Sequence, residues 1–396
     1  MLSAMMPKRL TVLLLLLQCG LVSAQDRPTL FSSKKAIKLE YDLDFRFCFD
    51  NREFDPSDCK YEQSQTLNAV LLTPSIGLSV MQNRKVRHKL MVGIDMWKNF
   101  GEVPVYGGVP AEADMSLVNT KLFHEIQLYY DGAVSLADGA RFEAVAGVFP
   151  QAYREGDYGQ MFYSDSERFW DVNIDGLLHK YRKDRFFAEL GCDWMGMYGV
   201  SRRERFEVFS AGSWQPVKFL SLGWAGSFYH YACSELADGV VDNHMLNPYI
   251  KFDAAQWTGM QELSLKAGGI LCYQCDRFIQ DPVKFPCGGQ VDFAARRWNV
   301  GLVNSIYFGD NLAPYFGAPD STGAPFGSLL YRGSPFYRSK LYDRIECFWE
   351  PRISDFVSLR LSAVFHLADS PMSYHGCQQR LVFVFDLDAL RNPRRR

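Results

Sequence analysis

Long apolar runs are missing from this chain. After Ala24 no segment reaches the roughly 18 consecutive apolar residues that a membrane-spanning helix needs. The best stretch, Leu67 to Val80, is broken by Asn68, Thr73, Pro74, Ser75 and Ser79. An excess of one charge sign is missing too. Lys and Arg total 43, Asp and Glu total 45, and the net charge of −2 leaves no basic footprint for nucleic acid. No G-x-S-x-G is present, and there are seven histidines. The best Ser–His pair, Ser362 and His366, would lie roughly 13 Å apart along one strand face, beyond hydrogen-bond reach. The chain is therefore not expected to be an enzyme, and no cofactor is implied.

Complete metal motifs are also lacking. Cys272-Tyr-Gln-Cys275 has the spacing of half a zinc site, but no second C-x2-C or H-x3-H follows. Asp171-Val-Asn-Ile-Asp-Gly176 matches the first half of a calcium loop, and Arg182 stands where its closing Glu belongs. Val172 and Ile174 alternate with Asp171, Asn173 and Asp175, as in a strand with one polar face.

Alternation is what the chain has in abundance. From Ile37 to Phe49 every second residue is large and apolar: Ile37, Leu39, Tyr41, Leu43, Phe45, Phe47 and Phe49. Between them lie Lys38, Glu40, Asp42, Asp44, Arg46 and Cys48. A period of two separates faces in a strand and smears around a helix. The pattern recurs around Leu90 to Met96, Leu122 to Tyr130, Phe142 to Val148, Ala188 to Trp194, Leu246 to Phe252, Leu263 to Leu271, Val357 to Leu367 and Leu381 to Leu387. His124 falls on an apolar parity, whereas His179 and His366 read as polar-face residues. Arg360 sits on the polar face of the Val357 run. These runs exceed the usual soluble strand of about 5–6 residues and suit a tilted membrane strand of about 9–11.

Residues 1–24 read as a secretory signal. Lys8 and Arg9 precede an apolar core, Leu10 to Leu17, and Val22-Ser-Ala24 is a small-residue cleavage site that makes Gln25 the mature start. Export permits disulfides. Cys48 and Cys59 bracket one polar stretch, Cys275 and Cys287 another, so each pair is expected to staple a loop.

Connections alternate in length. Gln82 to Lys85, Arg182 to Asp184, Ser210 to Gln215 and Pro351 to Asp355 read as short turns. Asn51 to Ser64, Phe100 to Leu117, Pro150 to Arg168, Cys233 to Asn243, Asp276 to Gly289 and Gly309 to Arg332 read as long loops. The stretch Gln290 to Phe308 divides into two strands with a turn near Arg296-Arg297. The count is about 16 strands, with 14 or 18 as alternatives.

With this layout the mature chain, including Gly147-Val-Phe-Pro150 before a long loop and the near-terminal strand Leu381-Val-Phe-Val-Phe385, resembles the porin-like outer-membrane barrels of Gram-negative bacteria. It departs from them in ending on a basic tail, Arg391 to Arg396, rather than on an aromatic residue. The resemblance implies one all-β domain over 25–396, an antiparallel transmembrane barrel in the outer membrane. It also implies short periplasmic turns, long external loops, lipid and the barrel insertion machinery as partners, and compatibility with a homo-oligomer. A barrel of this size encloses an aqueous channel, so passive passage of small hydrophilic solutes is expected. Lys38, Glu40, Asp42, Asp44, Arg46, Asp171, Asn173, Asp175 and Arg360 are expected to line it. The alternative is a barrel whose external loops bind, adhere or assemble.

Overall fold

The computed structural model describes residues 37–54, 60–100, 125–279 and 282–387. Its strands are β1 (Ile37–Phe54), β2 (Gln65–Asn83), β3 (Val86–Asn99), β4 (Glu125–Ser135), β5 (Arg141–Pro150), β6 (Asn173–Lys183), β7 (Phe186–Gly196), β8 (Arg205–Val217) and β9 (Leu220–Tyr231). They continue with β10 (Val241–Asp253), β11 (Glu262–Asp276), β12 (Val283–Lys284), β13 (Cys287–Arg297), β14 (Val300–Gly309), β15 (Leu341–Trp349), β16 (Val357–Ala368) and β17 (Ser373–Asp386). Each pairs antiparallel with its chain neighbour, except that β11 passes directly to β13, and the two-residue β12 only adds to the edge of β11. The last strand returns to the first, with Phe45 opposite Phe385. The result is a closed cylinder of 16 strands. Closure gives every wall strand two partners, which lipid demands because it offers no hydrogen bonds of its own.

The faces are disposed as the alternation requires of a membrane barrel. Leu128 is 55% exposed and Ile250 55%, whereas Asp131 is 0% exposed and Glu189 2%. A soluble sandwich would bury the first pair and expose the second. Between β2 and β3, β6 and β7, and β13 and β14 the turns are tight. The last holds Trp298 and Asn299 at φ 51° and 68°, the left-handed pair of a primed hairpin turn. The opposite rim carries the long connections.

Three expectations need correction. Ser210 to Gln215 is not a turn but lies inside β8, and the chain reverses at Lys218-Phe219. Gly212 is there for packing: a Cβ on it would meet the Trp224 ring of β9 at 2.2 Å. His179 is on the outward face of β6 with exposed Leu177, stacked on Phe142. The Cys275–Cys287 staple is not formed, and both are free thiols. Register explains this: Cys287 pairs with Leu271, so Cys275 stands four residues further along β11, roughly 13 Å away, too far for a disulfide. Cys48 is likewise a free, buried thiol on the inward face of β1, and its expected partner Cys59 lies outside the described residues, as do residues 1–36 and His124.

Two outcomes follow. Leu246→Arg and Leu361→Arg each place a charge in lipid and should destabilise the folded barrel by about 2–4 kcal/mol near the midplane, read by urea titration in bilayers, while Asp42→Asn leaves it intact. Peptide mapping under non-reducing conditions should recover Cys275 and Cys287 as separate alkylated thiols.

Candidate functional site

The site is the barrel interior, and two long loops enter it. The first covers 151–172 and carries a short helix, Asp165–Trp170. Its start is written locally: Ser164 accepts from the Glu167 N–H at 3.1 Å, a capping pair three residues apart. The second covers 310–340 and ends in the 3-10 turn Pro335–Arg338.

The first loop is tied to almost every sector of the wall. Glu155 meets Lys180 of β6 at 2.8 Å, and the Glu155 and Gly156 N–H groups donate to Glu189 of β7 at 2.9 and 2.8 Å. Asp157 pairs with Lys266 of β11 at 3.0 Å, and the Tyr163 hydroxyl donates to Glu207 of β8 at 2.8 Å. Asp165 pairs with Arg344 of β15 at 3.0 Å and with Arg380 of β17 at 3.1 Å. At its far end Trp170 stacks on Trp97 of β3, ring centroids 5.1 Å apart. The loop therefore spans the lumen from β6 round to β17 and back to β3.

The second loop is packed more by aromatic rings. Phe336 stacks on His366 of β16 at 4.6 Å and on Tyr342 of β15 at 5.0 Å. His366 is held by the Tyr342 hydroxyl at 2.8 Å and Gln378 at 3.0 Å, so it belongs to this core and not to a Ser–His pair. The two loops join backbone to backbone. The Ser164 N–H donates to the Arg332 carbonyl at 2.9 Å, and the Ser334 N–H to the Gln160 carbonyl at 2.8 Å. Gly333 permits this approach, since a Cβ there would lie 2.1 Å from the Met161 carbonyl oxygen.

Arg332 is the centre of the junction. Its guanidinium, buried with the rest of the residue, meets Asp171 at 2.6 Å, Glu207 at 2.8 Å, Asp193 of β7 at 3.4 Å, and Glu167. One cation thus links both loops to β7 and β8. Burial pushes the Asp171 carboxyl well above its usual range, Arg332 opposes that, and Asp193 and Glu167 push it further up. Asp165 behaves oppositely: burial would raise it, but Arg380 and Arg344 hold it below the usual carboxylate range.

The expected lining residues separate. Lys38 is exposed at the start of β1, and Glu40 accepts from the Ser79 hydroxyl at 2.6 Å. Asp42, Asp44 and Arg46 border a cavity of about 340 Å³. Asp171 belongs to the Arg332 junction, and Asn173 donates to Asp95 and Glu125, both at 2.5 Å. Arg360 faces inward and pairs with Glu346 at 2.7 Å and Glu350 at 2.9 Å. Asp175 stands near the start of β6. It is half-buried, lies opposite Val148 of β5, and its N–H donates to Asp193 of β7 at 3.0 Å. Asp171, Asn173 and Asp175 therefore do not converge on one ion. The aromatic pairs at strand ends divide between faces. Tyr129, Tyr229, Tyr307 and Phe348 are buried inside, whereas Tyr130, Phe228, Phe308 and Trp349 are exposed outside. Arg332, Arg344, Asp165 and Arg154 were not singled out by sequence; only the Ser164-x-x-Glu167 capping pattern marks this region locally.

No family model and no curated protein matches this chain. Solved structures do. OmpT, an outer membrane protein of Vibrio cholerae in trimer form, superposes with TM-score 0.50 at 9% identity, covering 89% of this chain and 99% of that one. The protein has the fold of the porin-like outer-membrane barrels. Salmonella typhi OmpF in complex with daunomycin gives TM-score 0.48 at 9% identity, over 88% of this chain and 98% of that one. A mutant Rh. blastica porin gives 0.44 at 9%, over 88% and 100%. The barrel shares little sequence with any of the three.

Arg332→Ala should strand the acids around it and loosen both loops at a cost of about 3–5 kcal/mol. Hydrogen exchange should accelerate in 151–172 and 310–340 while the barrel strands stay protected. Lowering the pH tests the Asp165 anchor. Its folded pKa lies below its unfolded value, so the stabilisation is complete at neutral pH and is lost only as pH falls below about 4, where the unfolded carboxyl begins to protonate. Protease accessibility of 151–172 should rise as the pH falls below that value.

Proposed function

We propose that this barrel is a restricted channel for small hydrophilic solutes, passing them along one side of an interior that its loops otherwise fill. The cavity of about 340 Å³ carries this reading. It lies between the wall of β1 to β4 and the loop segment Pro150 to Tyr158, and it is bordered by Asp42, Asp44, Arg46, Thr73, Ser75, Asp95, Gln127, Gln151, Arg154 and Arg168. Such a surface stays wet and lowers the barrier to a hydrated solute. Across the remaining sectors, from β6 to β17, aromatic rings and ion pairs occupy the interior, so the expected conductance is well below that of an open barrel of this size. No covalent step is part of this role. The trimer form of the Vibrio cholerae protein supports self-association as the assembled state.

The loop-binding alternative loses ground because the second loop folds inward instead of projecting outward. Planar-bilayer recording of the purified full chain tests the proposal. The full chain should show small ion-conducting steps, and replacing Asn311 to Arg338 by a short Gly-Ser linker should enlarge them. Asp42→Lys with Asp44→Lys should shift the cation/anion permeability ratio toward anions, because fixed charges along a narrow aqueous path bias ion entry. Silence from both the full chain and the linker variant would overturn the channel reading.

A further inference from the structure

The outer wall carries a polar pair where it faces hydrocarbon. On β14 the even-numbered residues point outward: Val300, Ile306 and Phe308 are exposed, whereas Tyr307 is buried inside. Asn304 shares the outward face, midway between Val300 at the hairpin end and Phe308 at the loop end. On β15 the odd-numbered residues point outward. Cys347 and Trp349 are exposed, while Tyr342, Arg344 and Glu346 are buried inside. Asp343 is therefore outward as well, and Asn304 donates through Nδ2 to its Oδ1. Register surrounds the pair with apolar side chains of the same face. Ile306 and Leu367 lie opposite Asp343, and Phe293 and Ile345 lie opposite Asn304.

The pair is only half satisfied. The second amide hydrogen of Asn304 has no better acceptor than the Arg344 carbonyl at 3.4 Å, beyond a good hydrogen-bond length. Asp343 Oδ2 has no hydrogen-bond partner among the described residues. Hydrocarbon supplies none, and unpaired polar groups at that depth are costly. Further along the same face, Cys347 and Ala363 stand opposite each other and floor a depression of about 560 Å³ bordered by Val300, Trp349, Leu361 and Leu381. Small residues on a lipid-facing wall let a neighbouring wall approach closely. A second copy of this chain fits both features. It inserts at the same depth and in the same orientation, so its own pair arrives at the same height. Rotation about a two-fold axis along the membrane normal exchanges left and right, so Asn304 of one copy faces Asp343 of the other. Each amide then donates its remaining hydrogen to the facing Oδ2, and every contact is made twice. Asp343 offers an acceptor there in either protonation state.

We infer that the outer face of β13 to β16 is a two-fold contact between copies of this chain. Reciprocal Asn304–Asp343 hydrogen bonds close it, and an apolar side chain of the facing copy seats over Cys347 and Ala363. The inference rests on the self-association proposed above, to which it assigns a face and a symmetry. Conduction through the lumen does not enter it.

Sedimentation equilibrium of the folded full chain in density-matched detergent micelles tests it. The unaltered chain should show a monomer–dimer equilibrium. Asn304→Leu combined with Asp343→Leu should raise the dimer dissociation constant by on the order of tenfold, the factor expected for two modest hydrogen bonds between membrane segments. Asp343→Asn keeps an acceptor at that position and should retain most of the affinity. Ala363→Trp fills the depression without touching the pair and should also weaken the dimer. Heat-dependent mobility in detergent shows that each variant barrel has folded, and if the leucine pair does not fold, Ala363→Trp decides. A chain that stays monomeric at every concentration would overturn the contact and the self-association together. An oligomer whose affinity these substitutions leave unchanged would overturn the assigned face and leave self-association standing. A trimer would overturn the two-fold arrangement.

Discussion

Charges enclosed by a closed wall in lipid have to be neutralised from within, and the rest of this structure depends on that constraint. Once the apolar set of each strand faces lipid, the alternate set has nowhere to go but the lumen. Glu189, Lys180, Glu207, Arg344 and Arg380 therefore converge on the same enclosed volume. An isolated ion there costs several kcal/mol, so partners have to be brought in. The two inward loops bring them. Glu155, Asp157 and Asp165 answer wall cations, while backbone N–H groups and Arg332 answer wall anions.

This neutralisation explains why the interior is filled and not merely narrowed. Each ion pair fixes one point of a loop, and a loop fixed at several points around a cylinder has to cross it. Aromatic rings then occupy the space between anchors: Phe336 against His366 and Tyr342, and Trp170 against Trp97. The side along β1 to β4 lacks such anchors at Asp44 and Arg154, and there the cavity remains. The proposed function derives from that open space.

The fold was legible because it rests on a local, repeated signal. Side-chain parity in Ile37 to Phe49 and its later counterparts set which face met lipid, and run length set a membrane strand apart from a soluble one. The primed turn at Trp298-Asn299 fell close to where strand counting required it. Legibility failed where a residue serves a neighbour far away in sequence. Gly212 looks like a turn and is a seat for the Trp224 ring, and Cys275 with Cys287 look like a staple until the register sets them apart.

The sequence by itself determined an antiparallel barrel of about 16 strands and the parity of its two faces, since these depend on a period of two and on chain lengths between turns. Only the tertiary structure decided what stands inside the wall. The partners of Arg332 come from residues 167, 171, 193 and 207, and no pattern along the chain relates them. Long-range charge pairing in a confined, poorly solvated space is set by which groups closure brings within reach, and that is a property of the closed cylinder, not of any segment.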